Sequence, residues 1–165
     1  MILDLKPLFR GEVDRLPLDF SFDFSQVTVG GVCPLAEPVR LTGQVIHRAE
    51  VVSVDAVITA KCTRACDRCG RETTHEHRVP VARAVVTELH NEDNDDLIVV
   101  QDMKLDVQEL ALSELILNLP MKHLCKADCK GICQKCGADL NDGDCGCDKR
   151  EVDPRLSALL ELLEQ

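Results

Sequence analysis

Tryptophan and tyrosine are absent from the 165-residue chain, and only four phenylalanines are present. With so few rings the core must be aliphatic, built from valine, leucine and isoleucine. No stretch approaches the ~18 consecutive apolar residues that a membrane-spanning helix needs. The first ten residues, Met1 to Arg10, carry no basic leader followed by an apolar block, so no secretory signal is expected and the cytoplasm is the expected compartment. A surplus of positive charge is missing too. The formal net charge is −10, which argues against a nonspecific nucleic-acid binder while leaving room for a local basic patch. There is no glycine-rich phosphate loop and no His-Glu-x-x-His motif, so a protein without catalytic activity is expected. Internal repeats and low-complexity tracts are absent as well.

Cysteine is the residue the chain has in excess, with ten in all. Six fall between Cys125 and Cys147, interleaved with Gly131, Gly137, Gly143 and Gly146 and almost nothing that could build a core. Such a segment cannot fold by burying apolar surface and needs a covalent or metal staple. Cys133-x-x-Cys136-Gly137 has the form of a zinc knuckle: two thiolates two residues apart reach one tetrahedral ion, and the glycine tolerates the turn that follows. Cys145-x-Cys147 can complete the four ligands. A disulfide cluster is the competing reading, disfavoured because cytosolic thiols stay reduced.

A second group lies mid-chain, Cys62-x3-Cys66-x2-Cys69. Its spacing matches the cluster loop of radical-SAM enzymes, but Arg68 stands where an aromatic is usual, and no run of βα repeats follows. The reading adopted is a second knuckle, Cys66 and Cys69, on a loop between two strands. Counting then matters. Six C-terminal cysteines exceed the four one zinc can use, leaving Cys125 and Cys129 over, while Cys66 and Cys69 lack two partners. Joining the leftovers gives a second closed site that would clamp the C-terminal module onto the sheet. In the rival arrangement Cys129 replaces one ligand of a single site. One structural zinc is expected, and two are possible. Around the mid-chain knuckle Lys61, Arg64, Arg68 and Arg71 stand against Asp67 and Glu72, a candidate contact for an RNA phosphate or an acidic partner, or else local charge balance.

The expected fold is α+β: a mostly antiparallel sheet or partial barrel, two helices and a C-terminal cysteine-rich zinc module. Met1 to Leu5 reads as a short strand stopped by Pro7, and Leu16 to Val29 alternates apolar and polar residues like a half-buried strand. Cys33 reads as a lone loop thiol. Val39–Ile46, Val51–Thr59 and Glu72–Leu89 continue as β runs, with His75 and His77 on a solvated strand face. His90 to Asp96 is an acidic turn, and Leu97 to Val100 a short strand. Asp106 caps a well-buried helix over 107–118, ended by Pro120. Leu156, Leu159, Leu160 and Leu163 form the apolar stripe of a last helix opened by Asp153 and Pro154, expected to dock on the chain's own body. Residues 1–120 would then be a β-rich body with a closing helix, and 121–165 the zinc-binding module with the terminal helix.

The string Cys-x-Gly-Ile-Cys133-x-x-Cys136-Gly-x-x-Leu-Asn141, then Cys145-x-Cys147 and Asp153-Pro-Arg-Leu156, resembles the YceD-like family, as do Cys66-Asp-Arg-Cys69 and Leu-Asn-Leu-Pro120. The resemblance runs from roughly Asp55 onward, and Cys62 is not one of its marks. It implies a noncatalytic factor supporting accumulation of large-subunit ribosomal RNA, acting on that RNA or an assembly intermediate, directly or through a protein. Cysteine density alone suggests the alternative, a thiol-based redox or metal-handling protein.

Overall fold

Alternation of buried and exposed side chains is clearest in β4, Val51–Ala65, where Val52, Val54, Ala56, Ile58, Ala60 and Cys62 all turn inward. The computed structural model describes residues 1–32, 34–88 and 97–147. Around β4 it builds a five-stranded sheet in the order β2 (Arg15–Phe22), β3 (Val39–Arg48), β4, β5 (Glu72–Val86) and β6 (Leu97–Val99). Neighbours are antiparallel except β5 and β6, which run parallel. The sheet is not closed into a barrel. Ala49 and Glu50 both adopt positive φ, which makes the tight two-residue turn between β3 and β4. In mid-strand, Gly43 sits opposite Ala56 so closely that a Cβ would fall 2.3 Å from the Asp55 carbonyl oxygen.

One face of this sheet carries the core, with Val39, Leu41 and Val45 from β3 and Val79, Val81 and Val85 from β5 beside the β4 row. The chain's beginning covers it. β1 (Ile2–Asp4) pairs antiparallel with β7 (Lys104–Asp106), and the one-turn helix α1 (Lys6–Phe9) buries Leu8 beside Leu5. Pro7 does not merely stop a strand here: it occupies the first turn of α1, where its missing N–H costs nothing. β2 ends at Phe22 rather than reaching Val29. Asp23 accepts the backbone N–H of Ser25 and turns the chain, while Phe24 stays buried, stacked 5.8 Å from Phe22.

Helix α2, Val107–Asn118, begins where Asp106 accepts the N–H groups of Gln108 and Glu109, and ends before Pro120. It is buried on one side only. Val107, Leu110, Ala111, Glu114 and Leu115 face the sheet, whereas Leu117 is 74% exposed, so the expectation of a well-buried helix is corrected. Ile116 and Leu117 on the outer side stay exposed because no described element packs over them. Glu114 is buried and pairs with Arg83 of β5 at 2.9 Å. The expected acidic turn, the terminal helix and Cys33 lie outside the described residues.

Candidate metal centres

From Leu119 to Cys147 the chain forms no helix or strand, only turns and one isolated bridge, Ile132 to Asp139. What organises it is sulfur. β4 and β5 are long enough to carry the loop between them clear of the core, and that loop holds Cys66 and Cys69 in a turn closed by Gly70 N–H to Cys66 O and Cys66 N–H to Arg71 O. The chain returns to this loop after α2 through His123. Asp67 N–H donates to the His123 carbonyl at 2.8 Å, and His123 N–H donates to the Asp67 carboxylate at 2.7 Å. The His123 ring is buried, bonded through Nε2 to Thr73 Oγ1 at 2.9 Å and edge-on to His75 with centroids 4.8 Å apart. Cys125 and Cys129 are thereby brought against Cys66 and Cys69, and all four Sγ atoms lie within 4.8 Å of one another.

The second group is local. Cys133, Cys136, Cys145 and Cys147 also bring their Sγ atoms within 4.8 Å of one another. Its first half is a knuckle closed by Gly137 N–H to Cys133 O and Cys133 N–H to Ala138 O, both 2.8 Å. Cys133 is buried and Cys136 exposed.

Both groups suit a single tetrahedral ion. Sulfurs about 2.3 Å from a central zinc stand about 3.8 Å apart. Cys66 and Cys129 are 3.7 Å apart and Cys69 and Cys125 3.6 Å, well beyond the roughly 2.05 Å of a disulfide. Four soft thiolates in this compact arrangement can hold one soft or borderline metal ion. The charges agree. Burial works to raise the Cys66 thiol, but the backbone N–H groups of Cys125, Arg68 and Cys69 outweigh it and bring it down to about 6. The N–H groups of Cys136 and Lys135 bring Cys133 down to about 6. Burial and then the sulfurs of Cys129, Cys69 and Cys66 push Cys125 up to about 12, and the sulfurs of Cys136 and Cys145 push Cys147 up to about 12. Four sulfurs this close cannot all ionise unaided. A divalent cation removes that conflict.

Cys62 joins neither group: it is buried in the core, where burial raises its pKa. The basic residues of the first knuckle are mostly engaged. Lys61 pairs with Glu37 at 2.8 Å, Arg68 donates to the Cys129 carbonyl at 2.7 Å, and Arg71 bonds Asp139 at 2.9 Å and Asp142 at 3.0 Å. Arg64 is half-buried beside Cys62, Pro34 and His77. Beside Cys129 lies an open cleft of about 520 Å³, with Arg68, Lys130 and Asp144 on its walls. His75 and His77 do not form a solvated face. Both are partly buried, and His75 packs on His123. Sequence reasoning misses two contributors: His123, which has no motif, and Asn141, which stands in the recognised string and donates at 3.3 Å to the Cys129 sulfur.

Comparison with known proteins places these features. The family description "Large ribosomal RNA subunit accumulation protein YceD" matches residues 54–163. A chloroplast protein of Arabidopsis thaliana, "Large ribosomal RNA subunit accumulation protein YCED homolog 1", is 28% identical over 162 residues, covering 80% of this chain and 50% of that protein. The chain thus spans about half the length of that relative. An uncharacterized Bacillus subtilis protein, YlbN, is 28% identical over 134 residues, covering 78% of this chain and 76% of that protein. An uncharacterized Mycobacterium tuberculosis protein is 29% identical over 124 residues, covering 70% of this chain and 57% of its own. No solved structure matches.

Proposed function

The chain belongs to the YceD family of large ribosomal RNA subunit accumulation proteins, and on that footing we propose that it is a noncatalytic cytoplasmic factor supporting accumulation of large-subunit ribosomal RNA during ribosome assembly. The observation that carries this reading is the family match across residues 54–163, which takes in both cysteine groups. In this reading zinc is structural. Cys66, Cys69, Cys125 and Cys129 hold one ion, Cys133, Cys136, Cys145 and Cys147 a second, and all-thiolate sites of this kind are closed to substrate. Residues 1–120 act as the β-rich body, and 121–165 as the zinc-binding module fastened to it.

The contact surface for RNA, or for a protein that carries it, is the first knuckle. Arg64 and Arg68 are its best-placed cations, the latter on the wall of the open cleft. Lys61 and Arg71 contribute less freely, although exposed ion pairs such as theirs hold by only about 1 kcal/mol or less. Depleting the protein should lower large-subunit relative to small-subunit ribosomal RNA, and the tagged protein should co-sediment with large-subunit precursors. An unchanged ratio together with absence from those fractions refutes the reading.

One observation favours a second reading, thiol-based redox or metal handling: Cys66 and Cys133, each the first of a Cys-x-x-Cys pair, have depressed pKa values. Titrating free thiols in the native protein, with and without chelator, separates the two. Structural zinc protects eight thiols until chelator is added, whereas a redox pair reacts without it.

A further inference from the structure

The two sulfur groups touch through residues that ligate neither ion. Asn141 lies on the loop between Cys136 and Cys145, inside the second group, yet its Nδ2 donates to Cys129 Sγ of the first at 3.3 Å. The same amide donates to Asp139 Oδ1 at 2.7 Å, and Asn141 Oδ1 accepts the N–H of Lys130, the residue after Cys129, at 2.9 Å. Asp139 also receives Arg71, two residues past Cys69. Between Cys129 and Cys133 the chain passes so close to the first knuckle that a Cβ on Gly131 would lie 3.1 Å from the Arg68 carbonyl oxygen. The 131–142 loop is therefore packed on the first group from outside, with its amide aimed at one of its sulfurs.

The remaining three sulfurs of the first group are held differently. Cys66 and Cys69 ride on the β4–β5 loop, and Cys125 follows His123, which is bonded to Asp67 of that loop and Thr73 at the start of β5. Cys129 differs: its carbonyl accepts Arg68 of the first knuckle at 2.7 Å, but its sulfur also accepts the Asn141 amide from the loop of the second group.

We propose that the two centres form one cooperative unit: an ion in the second centre orders the 131–142 loop, and Asn141, as a positioning residue, then sets Cys129 for the ion of the first. This rests on the reading that both groups bind zinc. An N–H bond to a ligating sulfur fixes the ligand's orientation and stabilises its charge, and loss of such an outer partner typically weakens metal binding by about 10–100-fold. Coupling of this kind is reciprocal, so an ion in the first centre must also strengthen the second.

The test uses the full chain, stripped of metal under reducing conditions and titrated with zinc alone. Native mass spectrometry reads the populations. The expected result is zinc-free and two-zinc protein, with the one-zinc form below the level that independent sites would give. Asn141→Ala should raise the one-zinc population and speed chelator release of one ion by about tenfold or more, while far-UV circular dichroism keeps the sheet signal. Cys136→Ser, which removes the second centre, should weaken the first by a similar factor. Adding Asn141→Ala to Cys136→Ser should then change little, because the amide acts through the ordered loop. Statistical loading with unchanged release from Asn141→Ala overturns the proposal and leaves two independent zinc sites standing. No bound zinc at all overturns it together with the reading beneath it.

Discussion

Replacing His123 by alanine should loosen the cysteine segment where it joins the sheet. The side chain is 4% exposed. Its Nε2 bonds Thr73 Oγ1 at 2.9 Å and meets the Thr73 carbonyl at 3.2 Å. Removing a buried partner costs about 1–3 kcal/mol, and the edge-on contact with His75 adds about 0.5–1.5 kcal/mol. The backbone bonds of residue 123 to Asp67 survive the substitution. The sum, roughly 2–4 kcal/mol, corresponds to a Tm lower by roughly 5–15 °C for a chain of this size. Far-UV circular dichroism at fixed zinc is the assay, since the chain has no tryptophan or tyrosine to report by fluorescence. Lys122→Ala, at an exposed neighbour, serves as control and should shift stability by no more than about 0.5 kcal/mol. Because Cys125 follows two residues later, His123→Ala should also hasten zinc loss from the first centre. A Tm no lower than that of Lys122→Ala refutes the role assigned to His123.

Gly43→Ala should destabilise by about 3 kcal/mol, because the added methyl meets the Asp55 and Ala56 backbone and β3 and β4 must part; urea unfolding that matches wild type contradicts the register. Asp106→Ala should cost about 1 kcal/mol through loss of the N-cap of α2, read from the same unfolding curves. Burial, then the neighbouring His75 and His123, hold His77 below its ordinary value of 6.5. Its contribution to stability is therefore full above pH 6.5 and is lost as the pH falls through its lower folded-state value. His77→Gln should flatten the acid limb of a Tm-versus-pH profile, and an unchanged slope counts against that burial. Zinc occupancy should fall as the pH drops below about 6, where even Cys66 and Cys133 take up protons; a chromophoric indicator showing full retention at pH 4 speaks against thiolate ligation.

Local signals were the legible ones. Asp106 and Pro120 bracket α2 within its own sequence, and runs rich in β-branched residues mark β3, β4 and β5. Counting ligands left two arrangements open, two sites of four or a single site with Cys129 as a replacement ligand; the fold brings Cys66, Cys69, Cys125 and Cys129 together, and separately Cys133, Cys136, Cys145 and Cys147. What escaped depends on distant partners. β6 was legible as a short strand, but its parallel pairing with β5 was not. Leu117 carries the same apolarity as Leu115, and only the position of the sheet decides that one is exposed and the other buried. A single histidine has no motif, and the residues that bond His123 lie 50 and 56 positions away. Asn141 stood within a recognised string, but its aim at a sulfur of the other group is a property of folded geometry.

X-ray absorption at the zinc edge, with elemental analysis of the same purified sample, tests most directly whether the eight cysteines make two closed metal centres. Two zinc ions per chain, each with four sulfurs at about 2.3 Å, is the predicted result. One ion per chain, or a shell containing nitrogen or oxygen, would contradict it.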